Sequence, residues 1–272
     1  MTMGFFLVMK AELVRTFIIM RRYWFATVLG LVISWGVMMG LIFGFMSAGG
    51  GQIADKFAQG EKATTAALGF LIGMFAFGIV GMFTQGLQGM ARTGELEQVC
   101  MSPHGLVTNF LARSTVSALS SIMTLSILVV LVAATVKGRI HADPVPVLVL
   151  LVLTYANLIG FGFMAGGLVL VFKQTGQVAM LIRLALVFLA LAASESMESW
   201  PAVIRWPAHV LPITDAAVCL KMVIVKGEGI GVFGTPYFAF LLISCFVWTM
   251  IGITCFKIME NWSRDKGTLG AY

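Results

Sequence analysis

Apolar and polar positions fall in long blocks along this chain, without the strict alternation of strands. Trp24 to Met46 runs 23 residues with no charge. Comparable stretches lie within Ala66–Gly89, Ser114–Val136, Pro144–Phe172, Gln177–Ser194 and Tyr237–Lys257. A bilayer core about 30 Å thick needs about 20 apolar residues in a helix, so the pattern predicts six transmembrane helices with both termini on one side. Before the first span, Phe5, Phe6, Met9, Leu13, Phe17 and Met20 recur at three- and four-residue intervals, with Lys10, Arg15, Arg21 and Arg22 elsewhere. Residues 1–23 therefore read as an amphipathic helix lying in the interface, its basic residues near anionic headgroups. Residues 195–236 break the pattern with Pro201, Pro207 and Pro212, flanked by Trp200 and Trp206. Proline removes a backbone donor and restricts its predecessor, so a re-entrant or interfacial hairpin is expected there. The rival is a seventh span over Ala208–Val225, which would contain Pro212, Asp215 and Lys221 and move the basic C-terminus to the other side.

Composition fixes the class. A mean hydropathy of +0.97, with 59% hydrophobic and 11% charged residues, describes an all-α integral membrane protein, read as one domain over 1–272. The net charge of +6 comes from basic residues at the ends of apolar runs rather than one patch, which excludes nucleic acid as the expected partner. Both termini and the loops after spans two and four hold 11 Lys/Arg and 5 Asp/Glu, against 7 and 7 on the opposite face. By the positive-inside rule the termini are cytoplasmic. Cys100, Cys219, Cys245 and Cys255 show neither a disulfide framework nor metal spacing. The charged N-terminus is too polar for a cleavable signal, so the first span is expected to direct insertion.

Catalytic chemistry is not written in the chain. Gly60-Glu61-Lys62 lacks the glycine spacing and hydroxyl of a P-loop, and neither a zincin pattern nor a nucleophile elbow occurs. No enzyme and no bound cofactor are expected. Spans carry few polar groups: Gln85 and Gln88 in the second, Asn157 in the fourth, and Glu195 at the outer end of the fifth. The amides read either as interhelical hydrogen bonds or as part of a substrate path with Met74, Phe77, Met82 and Phe83. Such a lining suits apolar or amphiphilic cargo. Glycine stripes at Gly36/Gly40/Gly44, Gly69/Gly73 and Gly162/Gly166 allow close helix approach, within the chain or, for the first span, across a dimer seam.

The most informative polar block is 91–103. Arg92, Gly94, Glu95, Leu96, Glu97, Gln98, Val99 and Pro103 lie between two long spans. Three charges, a glycine and a proline there predict a short amphipathic helix shown to a soluble partner.

Three features, in order, resemble the permease subunits of type-2 ABC transporters, mostly bacterial exporters. Arg92-Thr93-Gly94-Glu95-Leu96-Glu97, with Pro103 beyond, resembles the family's Arg-x-x-Gly-Thr-Leu-Glu pattern, with Glu95 in place of Thr. The basic N-terminus is similar to its interfacial connecting helix. Trp200-Pro201 through Leu211-Pro212-Ile213-Thr214, then Lys221, resembles its outer re-entrant stretch, with Leu211 where Asn is common and Lys221 for Arg. The resemblance implies a permease of the bacterial cytoplasmic membrane that works by alternating access. It would pair with a second permease, identical or paralogous, and with two cytosolic P-loop ATPases that bind ATP and Mg. The 91–103 helix would then couple to the ATPase, with Glu95 and Glu97 meeting basic residues and Leu96 and Val99 as apolar anchor. Two other readings stay open: a self-sufficient carrier or channel, and a membrane scaffold that recruits a cytosolic protein.

Overall fold

The computed structural model describes residues 2–48, 60–136, 141, 143–172 and 176–266. Five charges of the topology count, Asp55, Lys56, Lys137, Arg139 and Lys173, lie outside them. Among the described residues the chain is helical, with no strand. Its α-helices are α1 (Thr2–Arg22), α2 (Trp24–Ala48), α3 (Gly60–Thr93), α4 (Glu95–Cys100), α5 (Gly105–Val136), α6 (Pro144–Phe172), α7 (Gly176–Ser196), α8 (Ala202–Val210), α9 (Thr214–Ile224) and α10 (Pro236–Asp265).

Five of these, α3, α5, α6, α7 and α10, are each long and apolar enough to cross a membrane. Two bent pairs add to them: α1 with α2 at 84°, and α8 with α9 at 94°. The number of candidate spans is therefore five to seven. Helices occur over each of the six apolar runs: α6 covers the whole of Pro144–Phe172, within which the fourth span is expected, whereas α10 runs on to Asp265.

Close seams hold the bundle. Gly69 and Gly73 face the α7 backbone at Leu191 and Val187, Gly162 and Gly166 face Phe83 and Leu87 of α3, and Gly160 and Gly252 bring α6 and α10 into backbone contact. Two of the three glycine stripes are thus explained within the chain. The third is different: among the described residues, a Cβ added at Gly36, Gly40 or Gly44 meets nothing within 4 Å. An aromatic column ties the layers, with ring centroids 4.7 Å apart for Phe83–Phe163, 5.0 Å for Phe163–Phe256 and 5.9 Å for Phe83–Phe110. Such pairs favour tilted and edge-on contacts beyond simple burial. The α2 helix packs more lightly, through Met38 and Met39 against Ala67, Leu71, Leu128 and Val132.

Candidate functional site

The α4 helix exists because its neighbours cannot continue. Thr93 donates its hydroxyl to the carbonyls of Gly89 and Met90, and Gly94 then takes a left-handed φ of 74°, which glycine adopts without the Cβ penalty. The chain turns, and six residues of helix follow. Their far end is pinned by Ser102 N–H to the Val99 carbonyl at 3.1 Å and by Asn109 Nδ2 of α5, which donates to Ser102 Oγ at 3.4 Å.

The faces of α4 do not all match the sequence expectation. Leu96 is fully buried in the chain's own core, so it fixes α4 to the bundle and is not an apolar anchor offered to a partner. Val99 is half-buried against the same core. Glu95 is engaged internally, accepting from Arg113 Nη2 at 2.7 Å. The outward surface is formed by Arg92, Glu97, Gln98 and Pro103, with Met101 79% exposed. Met101 is the apolar side chain that sequence reasoning passed over; its place one step past the helix was the available signal.

Arg113 was also missed. Besides Glu95 it donates from Nη1 to Met90 Sδ at 2.9 Å, and its Nε lies 3.8 Å from Glu12 of α1. One guanidinium therefore joins α1, α3, α4 and α5, using the fork of donors that lysine lacks. On the other side of α4, Cys100 lies near Glu260 and Arg264 of α10, themselves paired at 2.6 Å. Burial pushes the Cys100 thiol up, with Arg264 opposing.

The substrate-path candidates are not all brought together. Met74 and Met82 line adjoining cavities between α3 and α5. Phe83 is core, and Gln85 is exposed. Asn157 is buried and donates to Ser244 Oγ at 3.1 Å, so this amide ties α6 to α10. Phe77 instead lies beneath Arg183 of α7, whose guanidinium stands 3.7 Å from the ring centroid and donates from Nε to the Phe77 carbonyl at 3.0 Å. Gly81 leaves the room that guanidinium occupies. Arg183, a charge inside the fifth apolar run, is only 4% exposed.

At the opposite end, Pro201 precedes α8 and buried Pro212 sits in the corner before α9. Thr214 closes that corner, donating its hydroxyl toward the carbonyls of Ala208 and Leu211. His209 Nδ1 lies 2.7 Å from Asp215 Oδ1, and its ring stacks on Phe240 at 4.3 Å. Lys221 Nζ donates to the Glu195 carbonyl at 3.2 Å. With Ser199 and Lys226, these two residues line a cavity of about 240 Å³. Trp200 is half-buried, while Trp206 is exposed.

A family model described as ABC-2 type transporter matches residues 8–225, from α1 to the end of α9. That is most of the chain, and the chain belongs to this family. No curated protein matches it closely enough to stand as a relative.

Proposed function

We propose that this member of the ABC-2 family is the membrane-spanning permease subunit of an ATP-driven exporter of apolar or amphiphilic cargo. The family is one of transporter membrane domains rather than catalytic ones, and transport is the shared activity. In the fuller reading, two cytosolic P-loop ATPases supply ATP and Mg chemistry and a second permease completes the complex. The α2 helix serves as a sixth span, α8–α9 as an outer re-entrant hairpin, and both termini face the bacterial cytoplasm. Residues 91–103 form the coupling element.

The observation that carries this reading is the build of α4. It turns Glu97 and Gln98 outward beside Arg92 and Met101, while Leu96 and the Glu95–Arg113 pair bind it to the bundle. A push on the outer face is thus delivered to α3, α5 and α1 together. Differential contact between the ATP-bound and ATP-free ATPase supplies the free energy that shifts access from one side to the other. Glu97 is the exposed carboxylate of the first turn, favoured by the helix dipole and placed for a basic partner residue.

The test is Glu97→Arg in the chain copurified with its ATPase. Membrane insertion and thermal stability are expected to hold, because exposed substitutions usually shift stability by about 0.5 kcal/mol or less. Stimulated ATP hydrolysis should fall about tenfold, the equivalent of about 1.4 kcal/mol. Unchanged hydrolysis would remove α4 as the coupling element.

A further inference from the structure

Two cavities adjoin between α3 and α5. One, about 420 Å³, is bounded by α2; the other, about 350 Å³, lies where α1 crosses the same helices. Ser117 and Ser120 line both, so the two form one cleft.

The sequence explains why this cleft stays open. On α3, Met74, Gly78, Met82 and Gly86 recur every four residues and share a face. On α5, Ser117, Ser120, Ser121 and Thr124 form the facing stripe. A side chain at Gly78 would reach only ordinary contact with Ser121 Oγ, 3.9 Å away, and one at Gly86 would stand 3.8 Å from Phe110. Unlike the glycines of the α3–α7 and α6–α10 seams, these two close no contact. The Ser120 hydroxyl donates to the Val116 carbonyl at 3.0 Å, so it behaves as a small wall residue with its bond already made. Small residues on both walls leave a groove, with Phe70, Leu71, Leu125 and Leu128 deeper in.

Its mouth is polar and its depth is defined. Glu12, Arg15 and Thr16 of α1 meet Arg113 there. Because α1 turns 84° from α2, it lies across the span direction and holds these groups at one level. From Arg113 to Leu128 the cleft follows fifteen residues of α5, about 22 Å at 1.5 Å per residue. Half of a bilayer core is about 15 Å. The groove therefore runs from headgroup level past the bilayer centre. At the mouth, Glu95 holds Arg113, while Arg15 is 56% exposed and meets Glu12 through Nη1.

We propose that this cleft binds a membrane phospholipid from the leaflet in which α1 lies, with its phosphate at Arg15 and one acyl chain between the α3 methionines and the α5 hydroxyl stripe. The adaptable methionines suit a chain of no fixed shape, and Arg15 matches a phosphate through paired donors. The site stands on this geometry alone and does not depend on an ATPase driving the chain.

The experiment uses the full chain in nanodiscs of phosphatidylethanolamine and phosphatidylglycerol, doped with a phospholipid carrying a diazirine at mid-chain. After irradiation, adducts are expected to concentrate on Met74–Met82 and Ser117–Leu128, about tenfold above the bilayer-exposed face of α10 at Phe246 and Met250. Ser121→Trp should abolish the cleft adducts. Should that variant fail to fold, Arg15→Glu on exposed α1 should cut cleft labelling by the phospholipid while leaving labelling by a diazirine fatty alcohol intact. Even labelling of all lipid-facing helices would overturn the proposal, as would an Arg15→Glu chain that labels normally. Disulfide pairing of two Ser121→Cys chains, in place of adducts, would assign the cleft to a second copy.

Discussion

The two ends of the bundle use a short helix between spans in opposite ways. At one end, α4 keeps Leu96 inside and turns Glu97, Gln98 and the neighbouring Met101 outward. At the other, α9 buries nearly all its residues, Thr214 and Asp215 included, and its polar groups turn into the chain: Thr214 on the Ala208 and Leu211 carbonyls, Asp215 Oδ1 on His209 with Oδ2 buried and unpaired among the described residues, Lys221 on Glu195. A segment whose polar groups bond inward is built to stay closed, since opening it breaks those bonds and strands the groups in low dielectric. One whose polar groups point outward is built to be gripped. In the proposed function, the α4 end is the one that meets a partner and the α8–α9 end the one that seals.

The largest effect should come from the feature the two ends share, a buried residue at each base. Leu96→Ala removes the apolar root of α4 and should cost about 2–5 kcal/mol, read as a clear fall in melting temperature in detergent. A melting temperature unchanged from the parent chain would mean that α4 is not rooted where Leu96 places it. Next in size is Asp215→Ala, which leaves His209 without its partner beneath the aromatic rings. Loss of that hydrogen bond should cost about 1–3 kcal/mol, with no change in ATPase binding. Weakened binding there would erase the contrast between the ends. The smallest stability effect belongs to Arg113→Gln. Its bond to half-exposed Glu95 is worth about 1 kcal/mol or less after solvent screening, yet this change should uncouple hydrolysis from transport. Intact coupling would show that α4 moves the bundle through packing alone.

How much of this was legible beforehand differs by element. The spans were readable because a bilayer demands uninterrupted apolar helix, and α6 even begins at its Pro144, a residue well suited to a helix start. The turn before α4 was readable from Gly94, and the broken outer segment from its three prolines. What failed was direction. Glu95 and Glu97 stand two residues apart, which on a helix sends them to different faces, and nothing local says which meets Arg113. The substrate-path set scattered for a similar reason, since Phe77 and Phe83 on α3 and Asn157 on α6 turn to different neighbours, and only Met74 and Met82 share a cleft.

By itself the sequence determined the class, the positions of the apolar helices, the polar turn at 91–103 and the family resemblance, because each rests on composition or local spacing. Only the tertiary structure decided which glycines close seams and which leave a cleft, that Leu96 looks inward, and that Arg113 and Arg183 are junctions rather than stray charges. Those outcomes depend on which helix face meets which neighbour, and that is set by packing among residues far apart in the chain.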